Sequence, residues 1–198
     1  MRKLVNLNTV YVVAAIVAIG TIIIVWASEM SGIWTKGISH VANAVEEYHN
    51  AAFPVDGEFT VDIDLSDLES NEGKVLFDDG KNQIFVSKVV RNESDYEVVF
   101  RSSGDFSLGG ATLVSGIEHV RNSNDLTTDF QAEAQASYMG DTYKLSPSGS
   151  SGLDYRDGDE FGFYLYRQDE TIDIDLEKES MIEVTVTNLY MNLWAEKS

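Results

Sequence analysis

Four carboxylates crowd one turn of the chain: Asp154, Asp157, Asp159 and Glu160, with Gly158 loosening the backbone between them. Hard oxygen donors gathered on a loop suit calcium, which takes about six to eight of them. These four are therefore the candidate metal site, and Asp78 with Asp79 crowd a second turn. The spacing is not the D-x-D-x-D-G order of an EF-hand, and a solvated acidic turn is the competing reading. Catalytic constellations are sparse. His40 and His49 stand nine residues apart, which is neither the i,i+4 zinc pair nor HExxH, and His119 is alone in a strand pattern. There is no GxSxG elbow and no Gly-rich phosphate loop before a helix. Cysteine is absent, which removes a thiol nucleophile, a disulfide framework and cysteine-ligated metals. Carboxylates are so numerous that no two single themselves out as acid and base. The residues point away from an enzyme, and calcium is the one cofactor they suggest. Asn92-Glu93-Ser94 is a glycosylation sequon in a predicted turn.

The elements that must position these groups divide sharply. No charged residue occurs between Leu4 and Ser28, and from Val10 to Ala27 nearly every side chain is apolar. As a helix that inner run spans about 27 Å, close to the hydrocarbon thickness of a bilayer. A helix on the surface of a soluble domain shows a polar face, and this one shows none. Val10, Val13, Ala14, Val17, Ala18, Ile22, Val25 and Trp26 are its expected lipid- or helix-packing residues, with Tyr11 and Trp26 as interfacial anchors. Ala14 and Ala18 form a small-xxx-small pair. Arg2 and Lys3 precede the run, so the positive-inside rule puts the N-terminus in the cytoplasm and the rest outside. A secretory signal cut after Ala27 and a buried core helix are the alternatives.

Past Ala27 the apolar residues fall at Met30, Trp34, Ile38, Val41, Val45 and Tyr48, close to a coiled-coil repeat. That spacing predicts a helix continuing to about Asn50. The stripe either packs on the same stripe of neighbouring subunits or covers the open face of its own domain. From Glu58 the period becomes two, with Phe59, Val61, Ile63 and Leu65 on one face. Further strands are predicted over 74–77, 83–90, 96–101, 111–120, 128–139, 160–167, 171–176 and 181–193, with a flexible loop over 146–152. Short strands spaced by turn residues predict an antiparallel, Ig-like β-sandwich. The expected fold class is mainly β with one long N-terminal α-helix. Its divisions are a tip (1–9), an apolar helix (10–28), an amphipathic stalk helix (29–53) and an acidic β-sandwich (54–198).

Charge follows the same division. The chain of 198 residues carries a formal charge of −19, and residues 1–50 are neutral, so all of it lies on the β-rich part. Nucleic acid is excluded as a partner, since its phosphates need Lys and Arg. A solvated position away from the anionic membrane surface suits such a domain.

An uninterrupted apolar helix, an amphipathic continuation (10–48) and strand segments such as 83–91 and 159–188 resemble archaeal type IV pilin-like proteins. That group includes archaellins and the membrane-anchored archaellum accessory proteins. The resemblance implies a structural part in a surface filament or its anchoring. Leu7-Asn8-Thr9 stands where prepilins carry the basic-Gly pair at which they are cut, and the glutamate of the fifth mature position is missing. The functional expectation is a non-enzymatic, membrane-anchored structural protein of a surface assembly. Its expected partners are the lipid bilayer and copies of itself or other structural subunits. A structural protein of a membrane-containing virion fits the same physics. A tethered calcium- or carbohydrate-binding sandwich is the second reading, and a secreted hydrolase the third.

Overall fold

The computed structural model describes residues 7–92, 95–122, 125–166 and 175–197. The apolar run forms one helix, α1 (Leu7–Lys36). Within it Val10–Lys36 is long and apolar enough to cross a membrane, and none of its apolar window is buried against the rest of the chain. The helix does not continue to Asn50. It ends at Gly37, whose φ of 57° lies in the left-handed region that side chains avoid and glycine accepts. A short helix follows, α2 (Ile38–Asn43), and then the chain becomes β1 (Tyr48–Val55). The expected 29–53 stalk helix is therefore three elements. The cause is tertiary: all eight residues of β1 pair antiparallel with β15 (Leu189–Glu196), and that ladder outweighs the local helical spacing.

The remainder is antiparallel β, in a sandwich-like stack of sheets. In one sheet the order is β1, β15, β7 (Gly110–Ser115), β6 (Asp105–Ser107). A second runs β11 (Asp141–Lys144), β10 (Glu133–Tyr138), β14 (Met181–Thr187), β2 (Phe59–Asp64). The third runs β12 (Ser146–Ser150), β13 (Glu160–Tyr166), β5 (Asp95–Ser103), β4 (Gln83–Asn92), β3 (Val75–Asp78). A hairpin, β8 (Ile117–Asn122) with β9 (Asp125–Phe130), completes it.

Alternation predicts β2 well: Val61 and Ile63 face the core while Thr60 and Asp62 face out. Three longer runs divide where pairing changes. The 111–120 run breaks at Gly116, whose carbonyl accepts from both Gln131 and Ala132, and those two residues also split 128–139 into β9 and β10. The 181–193 run splits at Asn188, which has a φ of 61°. Its two halves, β14 and β15, lie in different sheets, which explains why the run is apolar on both faces. The expected loop over 146–152 instead pairs with β13 as β12, while the 171–176 prediction falls mostly outside the described residues.

Two apolar clusters result. The larger fills the space between the second and third sheets, with Phe100, Phe161, Phe163, Ile84, Ile182 and Val184 fully buried. The smaller joins Ile38, Val41 and Ala42 of α2 to Tyr48, Ala111, Leu113 and Trp194. Covering each Leu- or Ile-sized side chain contributes on the order of 1.5–3 kcal/mol. The head thus buries two apolar clusters of its own, whereas the apolar run of α1 lies exposed.

Candidate functional site: the junction of helix and head

The membrane-packing candidates Val10, Val13, Ala14, Val17, Ala18, Ile22, Val25 and Trp26 are all exposed, Ile22 by 68% and Trp26 by 57%. The stalk stripe divides. Ile38 and Val41 are buried in the smaller core, and Tyr48 joins them while its hydroxyl donates to the carbonyl of Leu108 at 2.8 Å. Val45 is exposed and Met30 half-buried, while Trp34 is 67% exposed. For Ile38, Val41 and Tyr48 the stripe covers its own domain. Met30 and Trp34 remain as the part open to something else.

What fixes α1 to the head is backbone chemistry. Ile38 N–H donates to the carbonyl of Arg156 at 2.8 Å. A Cβ on Gly37 would fall 1.7 Å from that same oxygen, so no side chain fits there. One turn earlier, Gly32 lies against the imidazole of His40. Arg121 Nη1 donates to the carbonyl of Ala42 at 2.6 Å, and Lys197 Nζ to that of Val45 at 2.8 Å. The segment that follows α1 is therefore tied to the head at several points.

Beside this joint lies a groove of about 470 Å³ between the last turns of α1 and the β6–β7 hairpin. Met30, Ile33 and Trp34 form one wall, and Phe106, Leu108 and Arg156 the other. The Arg156 guanidinium lies 5.5 Å from the centre of the Phe106 ring, a cation–π placement. No periodicity marks these head residues, since Phe106 and Leu108 sit in a short hairpin remote in sequence from the helix.

The acidic turn does not converge. Asp157 accepts from Arg101 Nη2 at 2.7 Å and from Ser103 Oγ at 2.8 Å. Burial pushes its carboxyl up, but these hydrogen bonds and the guanidinium charge together outweigh that and hold it below the ordinary range. Glu160 accepts from Ser87 Oγ at 2.8 Å and, through its hydrogen bond to Tyr155, pushes that phenol up, with burial adding to the effect. Asp154 is exposed. Among the described residues no three His, Asp or Glu side chains are arranged to hold a metal ion. Asp157, Asp159 and Glu160 each face a different partner and Asp154 stands exposed, so the structure does not bring the four expected calcium ligands, Asp154, Asp157, Asp159 and Glu160, together. Gly158 is there for close approach: a Cβ would sit 1.9 Å from the carbonyl of Ser102.

Asp159 is fully buried and organises a polar knot. Ser115 Oγ donates to its carboxylate at 2.8 and 2.9 Å, and His119 Nε2 lies 2.6 Å from it. Ser115 Oγ also accepts from Ile117 N–H at 3.1 Å. Asn192 Oδ1 accepts from His119 N–H at 2.7 Å, while its Nδ2 donates to the carbonyls of Leu113 and Ile117. Serine, histidine and aspartate meet here, but hydroxyl and imidazole are bound to the same carboxylate rather than to each other. All four side chains are shut off from solvent. The knot fastens β7, β8 and β15 to the turn that leads into β13. Asn192, a polar residue inside an apolar run, was the one local sign of it.

Asn92 is exposed at the end of β4, paired with Asp95; the rest of its sequon lies outside the described residues. His49 is exposed on β1. Searches against protein-family models, curated proteins and solved structures find no match to this chain.

Proposed function

We propose that the chain is a non-enzymatic, membrane-anchored structural protein that holds an acidic β-sandwich head at a fixed attitude on a surface. In this reading α1 spans the bilayer, and the head makes protein–protein contacts with copies of itself or with other structural subunits. The observation that carries the reading is the contrast in burial. The head closes its own apolar cores, whereas the apolar run of α1 has none of its window covered. Such a rod in water leaves a large area of apolar surface uncovered, at about 25 cal/mol per Å², and lipid removes that penalty.

The tied joint at Gly37 favours a structural role over a loose tether, because the bonds that tie Ile38, Ala42 and Val45 to the head oppose bending just past the helix. The charge of −19, all of it outside the first fifty residues, suits a head standing in water. The resemblance of the sequence to pilin-like and archaellum accessory proteins supports the same role. Electron microscopy of native surface material tests the assembly. Ordered arrays or filaments labelled by antibodies to the head support it, and single scattered heads on the membrane overturn it.

A further inference from the structure

The groove at the joint is mostly apolar and open to solvent. Its lining holds one charge, Arg156, and no acidic side chain, on a chain of net charge −19. Its height is set by the helix. Glu29 is the first charged residue after the apolar run, and Trp34 lies five residues on, about 8 Å along an α-helix. The headgroup layer on each side of a bilayer is about 5–8 Å thick. With α1 in a membrane, the groove opens at the level of the lipid headgroups. A two-fold contact with a second copy would bring that copy's Arg156 to the same place, like charge against like.

We propose that this groove seats a phospholipid of the leaflet facing the head, with Arg156 on its phosphate. Trp34, Phe106 and Leu108 cover the glycerol and the first methylenes of its chains. Guanidinium matches phosphate in both charge and donor geometry, and an indole at this depth behaves as an interfacial anchor. The bound lipid fills the gap between helix and hairpin and so adds to the fixed attitude of the head. This inference rests on the reading of α1 as a membrane span.

The chain has no cysteine, so a single introduced thiol labels one position. The full-length protein is placed one copy per nanodisc in phosphatidylglycerol, with a bimane label introduced by Leu108→Cys, Met139→Cys or Ile22→Cys. Lipids carrying a nitroxide at the headgroup or along the chain act as quenchers. The expected result is severalfold stronger headgroup quenching at position 108 than at 139, cut by half or more by Arg156→Glu and by Arg156→Gln. If position 22 is quenched by chain nitroxides while 108 behaves like 139, the lipid site is overturned and the span stands. If position 22 is not quenched, both fall. Quenching at 108 that ignores both Arg156 variants overturns the phosphate contact. Shielding of 108 that appears only with two copies per disc makes a second copy the occupant and overturns the proposal.

Discussion

The amide of Ile38 donates a 2.8 Å hydrogen bond to the carbonyl of Arg156, across 118 residues of chain. Through it the end of the apolar helix is joined to the turn that opens β13. Gly37 sits directly against the same carbonyl, and its φ of 57° turns the chain from α1 into α2.

Gly37→Ala puts a Cβ into that oxygen and strains the left-handed backbone. Urea denaturation in detergent is expected to show a loss of roughly 2–4 kcal/mol. Limited proteolysis is then expected to cut between residues 36 and 44 faster in the variant than in the parent protein. Unchanged stability and unchanged cleavage would mean that the joint does not hold the head.

Ile38 is fully buried, whereas Trp34 is 67% exposed. Ile38→Asp places a carboxylate in the smaller core and is expected to lower head stability by about 4 kcal/mol or more. Trp34→Ala should change it by no more than about 0.5 kcal/mol. Near-ultraviolet circular dichroism melts separate the two. A head that tolerates Ile38→Asp while its assembly disperses would return the whole stripe to contacts between subunits.

Asp159→Ala leaves the buried Ser115 hydroxyl and His119 imidazole without their shared acceptor. The expected loss is about 3–5 kcal/mol, against about 1–3 kcal/mol for Ser115→Ala, which spares the His119 contact. Chemical denaturation of both variants checks the order. The reverse order would show that Asp159 is not the centre of the knot.

The carboxyl of Asp157 is held below its ordinary value of 3.8, since the bonds from Ser103 and Arg101 outweigh the opposing effect of burial. A carboxylate lowered in the folded state adds stability above its unfolded pKa, and that stability is lost as pH falls through the folded value. Acid also relieves the repulsion of a strongly negative chain, so the comparison must be between variants. Asp157→Asn is expected to be less stable than the parent by a constant amount from neutrality down to about pH 5. The gap should close below the ordinary carboxylate range. A gap that widens in acid would contradict the sign.

Legibility followed the range of the cause. The apolar helix from Val10 and the alternation of Phe59, Val61 and Ile63 are local periods, and both stand in the structure. The ends were hidden because distant pairing sets them. Tyr48 closes the helical spacing that begins at Met30, yet it opens β1 because β15 offers a ladder, and Asn188 moves an apolar run from one sheet to another. The acidic turn was visible as a cluster but not as a set of separate bonds. Its partners Ser87, Arg101 and Ser115 stand 44 to 73 residues away in sequence. The groove was invisible for the same reason, being made of a helix end and a remote hairpin tip.

Flotation of the full chain from native membranes, in a density gradient after washing at alkaline pH and high salt, tests most directly whether α1 is held in lipid. The expected result is that the protein rises with the bilayer fraction and leaves it only in detergent, with its head still folded. Recovery in the aqueous fraction as a lone folded particle, with the run from Val10 to Ala27 still attached, would contradict the membrane anchor.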